Sequence, residues 1–114
     1  MTQATLLHDW LLAFALTTAS ELAVAVPLLG SGGSRARRVA AVCLGQLATH
    51  PAVWFIWPLL GWSRPTYVLV AEAFALVVEM LVYRLVFQRL PWSRVLAASA
   101  LANATSLMIG LWVR

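Results

Sequence analysis

The run WLLAFALTTASELAVAVPLL, residues 10–29, carries a single charged side chain, Glu21. A helix needs roughly 20 mostly apolar residues to cross the hydrocarbon core of a bilayer, and this run has that length and composition. The cluster Gly30-Ser31-Gly32-Gly33-Ser34 that follows breaks the helix. Working outward, the same kind of run recurs at residues 39–60, 66–87 and 94–113. The turns between them are Gly61-Trp62-Ser63-Arg64-Pro65 and the stretch Gln88 to Ser93, which contains Pro91. The sequence therefore predicts an all-α integral membrane four-helix bundle. Its helices are expected at about Trp10–Leu29, Val39–Leu60, Thr66–Phe87 and Arg94–Val113, in one domain over residues 1–114. Pro27, Pro51 and Pro58 lie inside these spans, which a membrane bundle tolerates because neighbours re-satisfy freed carbonyls.

Composition supports this reading. Of the 114 residues, 62% are hydrophobic and 11% charged, against about 25% charged in soluble domains. The first apolar run has no basic residue before it and is too long for the core of a cleavable signal, so it is expected to remain as a helix. The net charge of +4 does not indicate nucleic acid, because the Arg residues sit at the ends of the apolar runs and not on one soluble face. A single cysteine, Cys43, excludes an internal disulfide.

All eight basic side chains are Arg, and they are unevenly shared. Arg35, Arg37, Arg38, Arg84, Arg89 and Arg94 fall on one side of the expected bundle; Arg64 and Arg114 fall on the other, with His8 and Asp9. An excess of basic residues marks the cytoplasmic side. Both termini are thus expected outside, in a bacterial inner membrane. Trp10, Trp57, Trp62, Trp92 and Trp112 lie near the expected interfaces, as an aromatic belt requires.

Glu21, Glu72 and Glu79 lie within the apolar runs. A carboxylate at a helix centre costs about 2.5–3.5 kcal/mol on insertion scales, so such residues point to function. Measured from the outer end of its own helix at 1.5 Å per residue, Glu21 lies roughly 17 Å deep, His50 roughly 15 Å, Glu79 roughly 20 Å and Asn103 roughly 14 Å. Every helix thus brings a strong polar group to the middle of the membrane, and these four are expected to face one another. Glu72 is placed two turns from Glu79 toward the outer surface. Gln46 and Thr49 on the second helix, Tyr83 on the third, and Ser99 and Ser106 on the fourth extend the polar stripes as supporting residues. Ala98, Ala102, Ser106 and Gly110 also form a small-residue packing seam.

No Lys or Arg lies at that depth, so protons or a cation must neutralise the carboxylates. Without a bound cation, at least one of Glu21 and Glu79 is expected to be neutral at pH 7. Three function classes remain open. A cation-binding protein or cation/proton-coupled transporter would use Glu21, His50 and Glu79, and at this size would need a homodimer or a partner subunit to build a path. An intramembrane enzyme would hold a divalent metal ion on Glu21, His50 and Glu79 and activate water. A non-catalytic subunit would offer the polar stripe to a partner helix, a membrane lipid or a quinone. A nucleic-acid partner is not expected.

Ser20-Glu21 with Pro27, Thr49-His50-Pro51, Glu72 with Glu79 and Tyr83, and Asn103 with Ser106 together resemble a pattern in small bacterial four-helix membrane proteins of uncharacterised function. In that pattern a Glu lies in the first helix, an Asn-Pro in the second, two Glu seven apart in the third, and an Asn and a Ser in the fourth. His50 stands where the pattern has Asn, which implies a need for a polar group there and not for imidazole. Ala19-Ser20-Glu21 is also similar to the first helix of small multidrug transporters, but Glu72, Glu79 and His50 depart from that pattern.

Overall fold

In the computed structural model, which describes residues 2–30 and 33–113, the chain folds into four α-helices. They are α1 (Gln3–Leu29), α2 (Arg35–Pro51), α3 (Arg64–Val86) and α4 (Trp92–Val113). The expected turn residues Ser31 and Gly32, and Arg114, lie outside the described residues. All four helices begin earlier than their apolar runs, α1 and α2 by the most. α1 starts at Gln3 because Thr2 caps it, its hydroxyl accepting the Thr5 N–H at 3.1 Å. α2 starts at Arg35 because Ser34 caps it in the same way, accepting the Arg37 N–H at 3.1 Å. A side-chain acceptor at this position satisfies one of the orphan donors of the first turn. Polarity defines a membrane span, whereas capping defines a helix, and here the two ends differ.

The helices form a closed ring in which α1 and α3 each pack between α2 and α4. The bundle measures 44 × 24 × 23 Å. Gln3–Leu29, Arg35–Leu60 and Trp92–Trp112 are long and apolar enough to cross a membrane; α3 has a similar length, 23 residues, and carries Glu72 and Glu79.

Burial is inverted relative to a water-soluble bundle. Leu59, Leu69, Leu85, Met108 and Trp112 are among many large apolar side chains on the outside. The buried polar residues are Glu21, Gln46, Thr49, His50, Glu79, Ser99 and Asn103. Large contiguous apolar surface on a soluble monomer would drive association; facing lipid, it has no such cost.

The apolar core is also lopsided. Ala25, Leu29, Ala41, Val42, Tyr83, Phe87, Leu90, Val95, Ala98 and Ala102 form one buried cluster that reaches from the middle of the bundle to its Arg-rich end. Among the described residues, Ala71 is the one buried apolar side chain toward the other end. The Arg-rich end is tied together as well as charged. Arg38 donates to the Val26 carbonyl at 2.7 Å and Arg94 to the Leu28 carbonyl at 3.0 Å, closing the end of α1. Arg37 donates to the Val86 carbonyl at 2.9 Å at the end of α3. A cation on the unpaired carbonyls of a helix C-terminus also complements the helix dipole.

After Pro51 the second span changes register. Residues Ala52–Ile56 form a π-helical turn and Trp57–Leu60 a 3-10 turn. The Trp57 N–H donates to the Ala52 carbonyl, five residues back. Continuing that spacing, Val53 would need the N–H of Pro58, which has none. Tyr67 of α3 supplies the donor instead, its hydroxyl reaching the Val53 carbonyl at 2.7 Å. Gly61 then ends the span in a left-handed conformation, φ 67°, that suits glycine. The small-residue seam of α4 is half used. Ala98 and Ala102 are fully buried, whereas a Cβ at Gly110 would meet nothing within 4 Å.

Candidate functional site

The centre of the bundle is a polar layer with one contributor per helix: Glu21 from α1, Gln46 from α2, Glu79 from α3 and Asn103 from α4. Gln46 is the hub. Its amide nitrogen donates to Glu79 Oε1 at 2.6 Å and also to Glu21 Oε2. Both of its N–H bonds are therefore spent on carboxyl groups. Asn103 donates to Glu79 Oε2 at 2.7 Å and to the Ser99 carbonyl at 2.8 Å, so its two N–H bonds are spent as well. Glu79 thus has both oxygens occupied. Glu21 accepts from Gln46 on Oε2, and its carboxyl also lies within hydrogen-bond reach of the Glu79 carboxyl, a contact that needs a proton on one of the two.

Local sequence explains the convergence. Gly45 precedes Gln46, and its missing side chain lets Glu79 lie against the α2 backbone: a Cβ there would stand 3.1 Å from Glu79 Cγ. Ser99 lies one turn from Asn103 and ties α4 to α3, its hydroxyl donating to the Leu76 carbonyl at 2.9 Å. Thr49 donates to the Gly45 carbonyl at 3.0 Å, and Ser106 to the Asn103 carbonyl at 3.1 Å. Those two hydroxyls serve their own helices and do not reach into the site.

Of the four residues expected to meet, Glu21, Glu79 and Asn103 do, and His50 does not. It sits one turn from Gln46 toward the Arg-poor end, where its Nδ1 accepts the Trp10 indole N–H at 2.9 Å. The imidazole is boxed by aromatic rings: Phe14 edge-on at 5.4 Å between centroids and Trp54 stacked at 6.3 Å. With Nδ1 used by Trp10 and the ring held among aromatics, His50 is not a co-ligand of the two carboxyls. The metal triad Glu21, His50 and Glu79 therefore does not form. Among the described residues, no three His, Cys, Asp or Glu side chains are placed to hold a metal ion.

Glu72 is half-buried, two turns from Glu79 toward the Arg-poor end. It lines a groove of about 500 Å³ together with Arg64, Pro65, Val68, Leu69 and Leu107. Tyr83 is fully buried one turn on the other side of Glu79.

The comparisons with known proteins add no relative. No family model, no curated protein and no solved structure matches the chain.

The residue that sequence reasoning undervalued is Gln46, ranked as a supporting group when it is the link between both carboxyls. Depth held the signal. Counted from Leu60 at 1.5 Å per residue, Gln46 lies roughly 21 Å in and His50 roughly 15 Å, against roughly 20 Å for Glu79 from its own outer end.

What the layer can do chemically follows from its inventory. It has two carboxyl groups, two amides with every N–H spent, and no basic side chain. Two like charges repel by about 4 kcal/mol at 4 Å even with an effective dielectric of 20. With both carboxyls ionised, the layer would carry two negative charges and no positive one to balance them.

Proposed function

We propose that this chain is a small multi-pass protein of a bacterial inner membrane that binds a proton or small cation between Glu21 and Glu79, as the coupling site of a transport cycle. The observation that carries this reading is the convergence of two buried carboxyls on the single amide nitrogen of Gln46, with no basic group in the layer. Glu72, in the groove toward the Arg-poor end, is the intermediate station between the pair and the outside. A metal-dependent enzyme draws no support from the site, because His50 stands outside it. A chain of this size needs a second copy or a partner subunit to build a continuous path.

The test is proton uptake by the purified protein in lipid vesicles, followed across pH 5 to 9. The wild type is expected to take up a proton that is lost on Glu21→Gln or Glu79→Gln, with helix content unchanged, because Gln imitates the protonated acid in shape. Equal pH profiles for wild type and both variants would show the carboxyls to be structural.

The orientation is part of the same proposal. The Arg-rich end faces the cytoplasm and both termini face outward. A reporter enzyme fused after Arg114 is expected to be active only on the periplasmic side, and cytoplasmic activity reverses the orientation.

A further inference from the structure

Six guanidiniums, those of Arg35, Arg37, Arg38, Arg84, Arg89 and Arg94, stand at the Arg-rich end of the bundle, and all four acids of the chain lie elsewhere. Among the described residues the one ion pair is His8 with Asp9, at the opposite end. Arg84 is built into the corner between α3 and α4. It donates to the Gln88 carbonyl just beyond the end of α3, and its guanidinium carbon stands 5.3 Å from the centre of the Trp92 ring at the start of α4. Arg89, the residue after Gln88, is exposed in the same turn.

Below the charge the corner is apolar. Leu81 and Leu85 on α3, and Trp92 and Leu96 on α4, are all exposed, Leu85 at 71%. Each pair is four residues apart, so each lies on one face of its helix. Leu81 is also three residues from Arg84, a surface neighbour by the same rule. The contact between Arg84 and Trp92 therefore brings two apolar faces together beneath one guanidinium. With Val77, also exposed, the α3 face runs roughly 12 Å at 1.5 Å per residue. Half of a hydrocarbon core of about 30 Å is roughly 15 Å. The Gln88 carbonyl takes one of the five guanidinium N–H bonds, and the others suit the oxygens of a phosphate. A phosphate without tails would leave the apolar faces unused. A zwitterionic lipid would bring a further cation to an end that already has six without a counter-ion.

We propose that the corner between the end of α3 and the start of α4 is a binding site for an anionic phospholipid. Arg84 holds the phosphodiester, with Arg89 in the adjoining turn adding positive charge. The acyl chains lie against Leu81 and Leu85 on one side and Leu96 on the other. Trp92 fixes the guanidinium from below through its ring face, a contact favoured by the ring quadrupole. The site is independent of the proton-binding reading given above, and either can fail without the other.

The experiment titrates the purified chain, in a non-ionic detergent, with fluorescent phosphatidylglycerol and with phosphatidylcholine carrying the same label. Phosphatidylglycerol is expected to bind at least tenfold more tightly. Arg84→Gln is expected to weaken it about fivefold, the effect of one basic residue beside an anionic membrane surface. Arg35→Gln, at the exposed start of α2, is expected to leave it within about twofold, although it removes the same charge from the same end. Glycerol phosphate at the concentration of the lipid is expected not to displace it. Should Arg84→Gln lose helix content, Arg89→Gln in the exposed turn takes its place with the same expected loss. Equal binding of the two lipids overturns the proposal. So does an equal loss in Arg35→Gln, because the lipid then follows the diffuse charge of the whole end. Displacement by glycerol phosphate also overturns it, and assigns the guanidinium to a free phosphate.

Discussion

Replacing Gln46 by Leu is expected to destabilise the bundle by about 2–6 kcal/mol, since each of two buried acceptors loses a partner at about 1–3 kcal/mol. Leu fills a similar volume and suits the membrane better, so a packing account predicts little change or a gain. The polar account predicts the opposite. Glu21 Oε2 and Glu79 Oε1 both depend on the Gln46 amide, which is the one amide donor to Glu21 among the described residues. Removing the hub also removes what holds the two carboxyls in fixed positions against their repulsion. Unfolding titrations in mixed detergent micelles, followed by helix content, measure the loss. A cycle with Glu21→Gln separates the causes: if the acceptors are the reason, the two changes together cost clearly less than their sum. A loss under about 1 kcal/mol for Gln46→Leu alone would mean that the amide is not the hub.

Gly45→Val is expected to have the next largest effect and to act on the site more than on the fold. A single added Cβ already stands 3.1 Å from Glu79 Cγ and 3.7 Å from its Cβ and Oε1. Valine adds two more methyl groups in a place bounded by the α2 backbone and Glu79. Overpacking of this kind costs about 1–3 kcal/mol. Glu79 must move away from α2, and that movement lengthens its bonds to both Gln46 and Asn103. The expected result is a folded protein with proton uptake lost or greatly reduced, Gly45→Ala lying between it and the wild type. Gly110→Val is the matching control, because a Cβ at Gly110 meets no atom within 4 Å. If Gly45→Val binds protons as the wild type does, the close approach of Glu79 to α2 has no part in the site.

The four helices were legible in the sequence because apolar length is a signal that needs no tertiary information. So was the meeting of Glu21, Glu79 and Asn103, since burying three strong polar groups at one depth leaves them few partners but one another. Two things were less legible. The start of α1 at Gln3 depends on the Thr2 cap, which hydropathy does not register. The exclusion of His50 depends on its neighbours. Its type suggested a ligand, yet Trp10 offers an N–H at 2.9 Å and Trp54 and Phe14 offer ring faces and edges, which together outbid the site one turn away. An equal rise per residue also misplaces groups beyond Pro51, where the π-helical turn alters the spacing.

The polar layer alternates around the ring: acid on α1, amide on α2, acid on α3, amide on α4. The bonded pairs are 25, 33 and 24 residues apart along the chain. At the usual 5–20 residues per second of synthesis, a separation of 25 residues is about 1–5 s. Glu21 therefore meets Gln46 as soon as the second helix is made, and Glu79 meets an amide already waiting for it. Each hairpin leaves the ribosome with its own acid and its own amide. The order of the chain limits how long either carboxyl is without an amide partner while the rest is still being translated.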